Sequence, residues 1–172
     1  MKIIGLCGEP AAGKSTVMRG LIETLGEGRV QKESLVCYTV FPQDKVYIAG
    51  IYDEAVFSGT DRTSKSCGPQ YREWLARKCA DVSFKDWTFY FEGERFSNSK
   101  FFDFFFEPGS VCDDVTIYFL QASKELLDAR NADRSNQDPR WRKGMATRMR
   151  KIRENYPVQV VEQGFSLVEV VK

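Results

Sequence analysis

Histidine is absent from the 172-residue sequence, so any general base must be a carboxylate, a lysine or a tyrosine. The five cysteines, Cys7, Cys37, Cys67, Cys79 and Cys112, are odd in number and never spaced C-x-x-C. That argues against a disulfide framework or a zinc site and for reduced, mostly buried thiols. No apolar run approaches the roughly 20 residues of a membrane span, and Ile3-Ile4-Gly5-Leu6-Cys7 is too short for the core of a signal peptide. A cytoplasmic protein without membrane partners is expected. Neither charge sign is in excess: the formal net charge is +1, which alone neither favours nor excludes a polyanionic partner. Internal repeats and low-complexity stretches are also missing. What remains is an ordinary globular composition, 42% hydrophobic and 28% charged, in a length that suits one domain over residues 1–172.

The strongest signal is Gly8-Glu9-Pro10-Ala11-Ala12-Gly13-Lys14-Ser15, followed by Thr16. Its G-x-x-x-x-G-K-[ST] spacing, between a short apolar strand and a helical pattern, is that of a phosphate-binding loop. Glycines at 8 and 13 let successive backbone N–H groups, including those at Ala11 and Ala12, converge on one point. The following helix adds its N-terminal partial charge, and Lys14 brings an ammonium to the β- and γ-phosphates. The Ser15 hydroxyl is placed for Mg²⁺. The alternative is a chance glycine-rich turn.

Further along, Val17, Leu21, Ile22 and Leu25 keep helical spacing until Gly26 and Gly28. Residues 35–40 and 46–52 read as strands, paired antiparallel across the turn at Phe41-Pro42-Gln43-Asp44. A polar loop from Asp53 to Pro69 contains Phe57-Ser58-Gly59-Thr60-Asp61-Arg62 and then Ser64; loops of that length in compact domains are commonly functional. A helix from Pro69 carries Tyr71, Trp74, Leu75, Cys79 and Val82. Trp87 to Phe91 is apolar on both faces, as buried parallel strands are, and ends in Glu92. A carboxylate at the C-terminal end of a central strand points into the ligand crevice of an α/β sheet, which makes Glu92 the candidate for an acid orienting Mg²⁺, against a merely solvated strand end.

Phe101, Phe102, Phe104, Phe105 and Phe106 cannot all face one core from one helix; most are expected to pack in the core and some to line a substrate cleft. Residues 115–120 form another strand, and a helix opens after Ser123. Arg130 and Arg134, spaced i, i+4, lie where that helix gives way to a polar segment ending at Pro139. This is expected to be a lid, about residues 130–143. The next helix holds Met145, Met149 and Ile152 inward and carries Arg140, Arg142, Lys143, Arg148, Arg150, Lys151 and Arg153 outward. Residues 158–161 and 167–171 are β-rich.

Phosphate loop, strand-end acid, and the Arg130-Asn131-Ala132-Asp133-Arg134 lid with its basic helix together resemble the small P-loop kinases, including nucleoside monophosphate kinases and the kinase domain of phage polynucleotide kinase. The resemblance implies an α/β, P-loop NTPase, nucleotide-kinase-like three-layer sandwich with a mainly parallel central sheet and a helical lid, using ATP and Mg²⁺. The Phe57-Ser58-Gly59-Thr60-Asp61-Arg62 block, with Phe91-Glu92-Gly93-Glu94-Arg95 downstream, is similar to phage kinases that phosphorylate 5-hydroxymethyluracil already in DNA, which would put the protein in the host cytoplasm. A GTPase is disfavoured because no N-K-x-D block occurs.

The expected reaction is transfer of the γ-phosphate to an alcohol hydroxyl. Residues 8 to 16 and Arg130 bind ATP, and Lys14, Arg130 and Arg134 offset the charge of the transferring group. Asp61 is the first choice of base and Asp53 the second. The acceptor set is Asp53, Thr60, Asp61, Arg62, Ser64 and Arg95, and the metal set Ser15 and Glu92. Asp61 and Arg62 could instead form a local ion pair, and the basic helix could simply be solvated. The acceptor is read as DNA, with a free nucleotide or a 5′-hydroxyl end as alternatives; outside enzymes, a nucleotide-dependent binding module would hold ATP without acceptor-dependent ADP release.

Overall fold

The computed structural model describes residues 1–52, 59–132 and 138–171; Asp53, Phe57, Ser58, Asp133 and Arg134 lie outside them. Seven strands form one sheet among the described residues: β1 (Lys2–Gly8), β2 (Arg29–Glu33), β3 (Val36–Phe41), β4 (Val46–Ala49), β5 (Thr88–Glu92), β6 (Asp114–Leu120) and β7 (Val158–Val161). Their order is β2-β3-β4-β5-β1-β6-β7. The five strands from β4 to β7 in that order run parallel, while β2, β3 and β4 form an antiparallel meander at one edge. The helices are α1 (Lys14–Ile22), α2 (Gly68–Ala80), α3 (Ser99–Phe106), α4 (Lys124–Ala132), α5 (Pro139–Asn155) and α6 (Val168–Val171).

β1 reads as an unbroken apolar run because both its faces are covered. Ile3 and Cys7 enter a core with Trp74 of α2, Phe101 of α3 and Met149 of α5. Ile4 and Leu6 enter a second core with Met18 and Leu21 of α1 and with Leu167. Helices on both sides of a mainly parallel sheet make the expected α/β three-layer sandwich.

Gly5 sits between Phe91 of β5 and Ile117 of β6 in register. A Cβ there would come 2.3 Å from the Phe91 ring and 2.6 Å from Ile117. The ring has little room to yield, since it stacks on Phe96 at 4.9 Å and on Phe105 at 5.6 Å. Gly5→Ala is therefore expected to cost about 1–3 kcal/mol by overpacking, read as a melting temperature several degrees lower; an unchanged melt would contradict this account of the central strand.

Several expectations need correction. All five phenylalanines of residues 101–106 belong to the core or pack against it, so none lines the cleft described below. A helix with apolar residues on two faces is covered twice, by the sheet and by Tyr156, whose ring lies 5.0 Å from Phe102 and 6.3 Å from Phe106. Helix α1 ends at Ile22, before Gly26, with the amide of Glu23 donating to the Arg19 carbonyl. β2 had no apolar signal because it is exposed throughout and held by backbone pairing to β3. The β-rich run at 167–171 ends in the short helix α6, because the chain turns back after β7 to bury Leu167 and lay Phe165 4.8 Å from Tyr118. Among the described residues no helix is long and apolar enough to cross a membrane.

Candidate active site

The phosphate loop leaves β1 and enters α1 through left-handed backbone at Gly8 (φ 146°), Ala11 (φ 65°) and Gly13 (φ 102°). Ala11 holds an angle that a Cβ disfavours, a strain of the kind stored at ligand-binding turns. Gly13 caps α1 without a side chain, which leaves the anion-attracting helix terminus facing the loop's concavity. Lys14 Nζ donates to the carbonyls of Gly8 at 3.1 Å and Glu9 at 2.9 Å. Arg130, projecting from α4, donates through Nη1 to the Ala11 carbonyl at 3.1 Å. The loop thus gathers two cations of distant origin.

Glu92 ends β5 beside Leu6 of β1 and is 4% exposed. Its Oε1 accepts from Ser15 Oγ at 3.0 Å and from the Tyr52 hydroxyl at 3.2 Å. Burial pushes its carboxyl above the ordinary range, Lys14 and the Ser15 hydrogen bond oppose this, and nearby Asp61 adds to the rise. Tyr52 is held well above its usual value by burial and by Glu92, so it stays a proton donor.

The single turn of 3₁₀ helix at Thr60–Arg62 is fastened to the same place. Ile51 and Gly59 exchange backbone hydrogen bonds of 3.2 and 2.6 Å. Gly50 and Gly59 approach so closely that a Cβ on Gly50 would lie 2.1 Å from the Gly59 carbonyl carbon. Thr60, buried, donates to the Glu92 carbonyl at 2.8 Å. This lacing sets Asp61 on the cleft wall.

The cleft has a volume of about 450 Å³. Gly8, Ala11, Lys14 and Ser15 form one side, Asp61, Lys65, Glu92 and Arg95 another, and Trp141, Met145 and Met149 of α5 a third. Lys14, Ser15, Asp61, Glu92 and Arg95 are therefore brought together. Arg95 pairs with Glu94 at 2.8 Å. Thr60 supports the turn from within, whereas Arg62 and Ser64 are exposed and do not line the cleft; Ser64 Oγ pairs with Ser66 Oγ at 2.9 Å. Across the loop, a second cavity of about 340 Å³ takes in Ala12, Gly13, Thr16, Arg130, Gln163 and Phe165. Gln163 Nε2 fixes that corner by donating to the Ala12 carbonyl at 3.0 Å and the Gln121 carbonyl at 3.3 Å.

Tyr52, Lys65, Ser97, Trp141 and Gln163 had no functional role in the sequence reading. Tyr52 closes an apolar strand pattern and Trp141 sits in a basic run, so neither carries a local motif. Met145 and Met149 were legible only as core. For a divalent metal, Ser15 and Glu92 offer two hard oxygen donors within 3.0 Å of each other. Among the described residues no group of three or more histidine, cysteine, aspartate and glutamate side chains could hold a metal ion. Such a sparse oxygen set fits Mg²⁺, which keeps most of its water and takes one or two protein ligands.

The chain is similar to a gluconokinase from Sinorhizobium meliloti 1021, at 15% identity and a TM-score of 0.49, over 99% of this chain and 87% of that one. It is also similar to a deoxyadenosine kinase from M. mycoides with bound dATP, at 12% identity and a TM-score of 0.40, over 99% of this chain and 95% of that one. Among curated proteins there is no match. The model of the family described as P-loop Nucleotide Kinase3 matches residues 1–172, and with a phosphate loop, a strand-end acid and a parallel sheet all inside that span, the chain belongs to this family of P-loop kinases.

Proposed function

We infer that the protein transfers the γ-phosphate of ATP to an alcohol on a nucleic-acid substrate, with the hydroxymethyl group of 5-hydroxymethyluracil in phage DNA as the acceptor. The observation that carries this is the cleft in which an exposed carboxylate, Asp61, shares walls with Lys14, Ser15 and the 40% exposed indole of Trp141. An exposed aromatic ring at the rim of a phosphoryl-transfer cleft suits a planar base, because stacking tolerates any π-face. The acceptor's class also follows the resemblance of the residue 57–62 and 91–95 blocks.

In this mechanism residues 8 to 16 bind the phosphates, and the cavity lined by Thr16, Arg130, Gln163 and Phe165 takes the nucleoside. Ser15 and Glu92 would hold Mg²⁺, which would supply positive charge to offset the charge of the transferring phosphates. Lys14 and Arg130 offset charge on the transferring group. The acceptor hydroxyl attacks the γ-phosphorus in line, its proton passes to Asp61, the bond to the β,γ-bridging oxygen breaks, and ADP leaves. Buried and doubly hydrogen-bonded, Glu92 suits the metal; solvent-facing Asp61 suits the incoming hydroxyl. Arg95 steadies the acceptor's phosphate.

The test is transfer of labelled γ-phosphate to thymidine monophosphate, hydroxymethyl-dUMP, a 5′-hydroxyl oligonucleotide, and duplex DNA with or without 5-hydroxymethyluracil. Label confined to the modified duplex is expected. Label on a free nucleotide or on 5′ ends would replace this acceptor, and ADP release independent of any acceptor would leave a plain ATPase.

A further inference from the structure

The active-site cleft does not end at Arg95. Lys65, Glu94 and Arg95 also line an adjoining groove of about 530 Å³ that runs between the start of α3 and the outer part of α5. Its walls carry Lys65, Arg95, Lys100, Arg148 and Lys151, and against these five cations stands one acid, Glu94. Glu94 is already paired with Arg95. Lys65, Lys100, Arg148 and Lys151 are exposed and form no ion pair with any described residue. Asp103, the nearest acid on α3, is engaged by the Tyr156 hydroxyl at 2.6 Å. The first turn of α3 contains no acid either, so its N-terminal partial charge reinforces the field.

Two buried polar atoms in the connecting stretch point to a ligand. Arg95 Nε has no hydrogen-bond partner among the described residues, nor does Ser97 Oγ, although Ser97 is 1% exposed and lines the cleft. Buried polar groups are ordinarily satisfied. An acceptor phosphate with its ester oxygens would satisfy both. A free mononucleotide brings one phosphate, which Arg95 alone could meet; the four other cations, spread over a loop and two helices, exceed that need.

We propose that this groove is a phosphodiester site, holding the backbone that flanks the acceptor nucleotide while the acceptor base turns into the cleft against Trp141. The proposal rests on the nucleic-acid reading given above and extends it from the acceptor to the strand. Extrusion of the base from a duplex, or use of a single strand, is what chemistry on a base requires.

The experiment measures binding of the full chain to a fluorescein-labelled oligonucleotide containing one 5-hydroxymethyluracil, single-stranded and duplex, at several salt concentrations. It compares wild type with the Lys100→Glu, Lys151→Glu double variant. The double variant is expected to bind at least tenfold more weakly, with a dependence of log affinity on log salt shallower by about 1–2. Binding of a fluorescent ATP analogue, which reports the fold of the variant, should be unchanged. Equal DNA affinity and equal salt slope in the two proteins would overturn the groove, even if 5-hydroxymethyluracil DNA proves to be the acceptor. Charge-dependent binding without transfer to the modified base would uphold the groove and overturn the acceptor.

Discussion

Lys14→Ala is expected to reduce phosphoryl transfer about 10²–10³-fold or more, the scale of removing one preorganised donor to developing charge. The Lys14 ammonium lies on the loop's own carbonyls of Gly8 and Glu9 and acts electrostatically on Glu92, so its removal takes charge from the phosphate site and the acid together. Because α1, β1 and both cores are packed by other residues, far-ultraviolet circular dichroism should be unchanged and the melt should move by no more than a few degrees. Normal turnover in a folded Lys14→Ala protein would sink the assignment of residues 8 to 16 to ATP.

The second large effect concerns the proton. Asp61→Asn keeps the size of the side chain and its place on the Thr60–Arg62 turn, but a neutral amide cannot take the acceptor's proton. Transfer in single-turnover experiments should fall about 10²–10⁴-fold, while ATP affinity changes little, since Asp61 stands on the wall across from the loop and outside the Gln163 corner. A fall in kcat with little change in ATP binding is the signature of a group acting in the chemical step. If the Asp61→Asn variant transfers phosphate at the wild-type rate, the base is Glu92 or Asp53. Asp53→Asn separates these, since it should lower transfer only if Asp53 is the base, whereas Glu92→Gln should raise the Mg²⁺ requirement in either case.

The phosphate loop was legible because its chemistry is local: eight consecutive residues specify turn, helix start and charge. Glu92 was legible for a related reason, since a buried parallel strand announces itself by composition and its end must face the crevice. The sheet core followed from the same apolar runs. What could not be read was assembled across the chain. Tyr52 meets Glu92 only because Gly50 and Gly59 bring two backbones into contact, and Trp141 meets the cleft only through the placement of α5. The phenylalanine run was misassigned in part because periodicity records how many faces are apolar and not what covers the second. β2 is held by backbone pairing and by the Tyr38 hydroxyl bonding Gln31 and Glu33, neither of which leaves a trace in an apolar side-chain pattern.

The loop's own hydrogen bonds bear on speed. Lys14 and Arg130 donate to carbonyls of Gly8, Glu9 and Ala11, so under the proposed binding mode turning these side chains fully onto phosphate oxygens would exchange some bonds within the protein for bonds to the ligand. Affinity then reflects an exchange of hydrogen bonds rather than their full strength. Under the same proposal the exchange would run in reverse when ADP departs, because both side chains have carbonyls to return to. A loop that supplies its own substitute acceptors trades tightness for short product residence, and in kinases where release limits turnover that trade sets the rate.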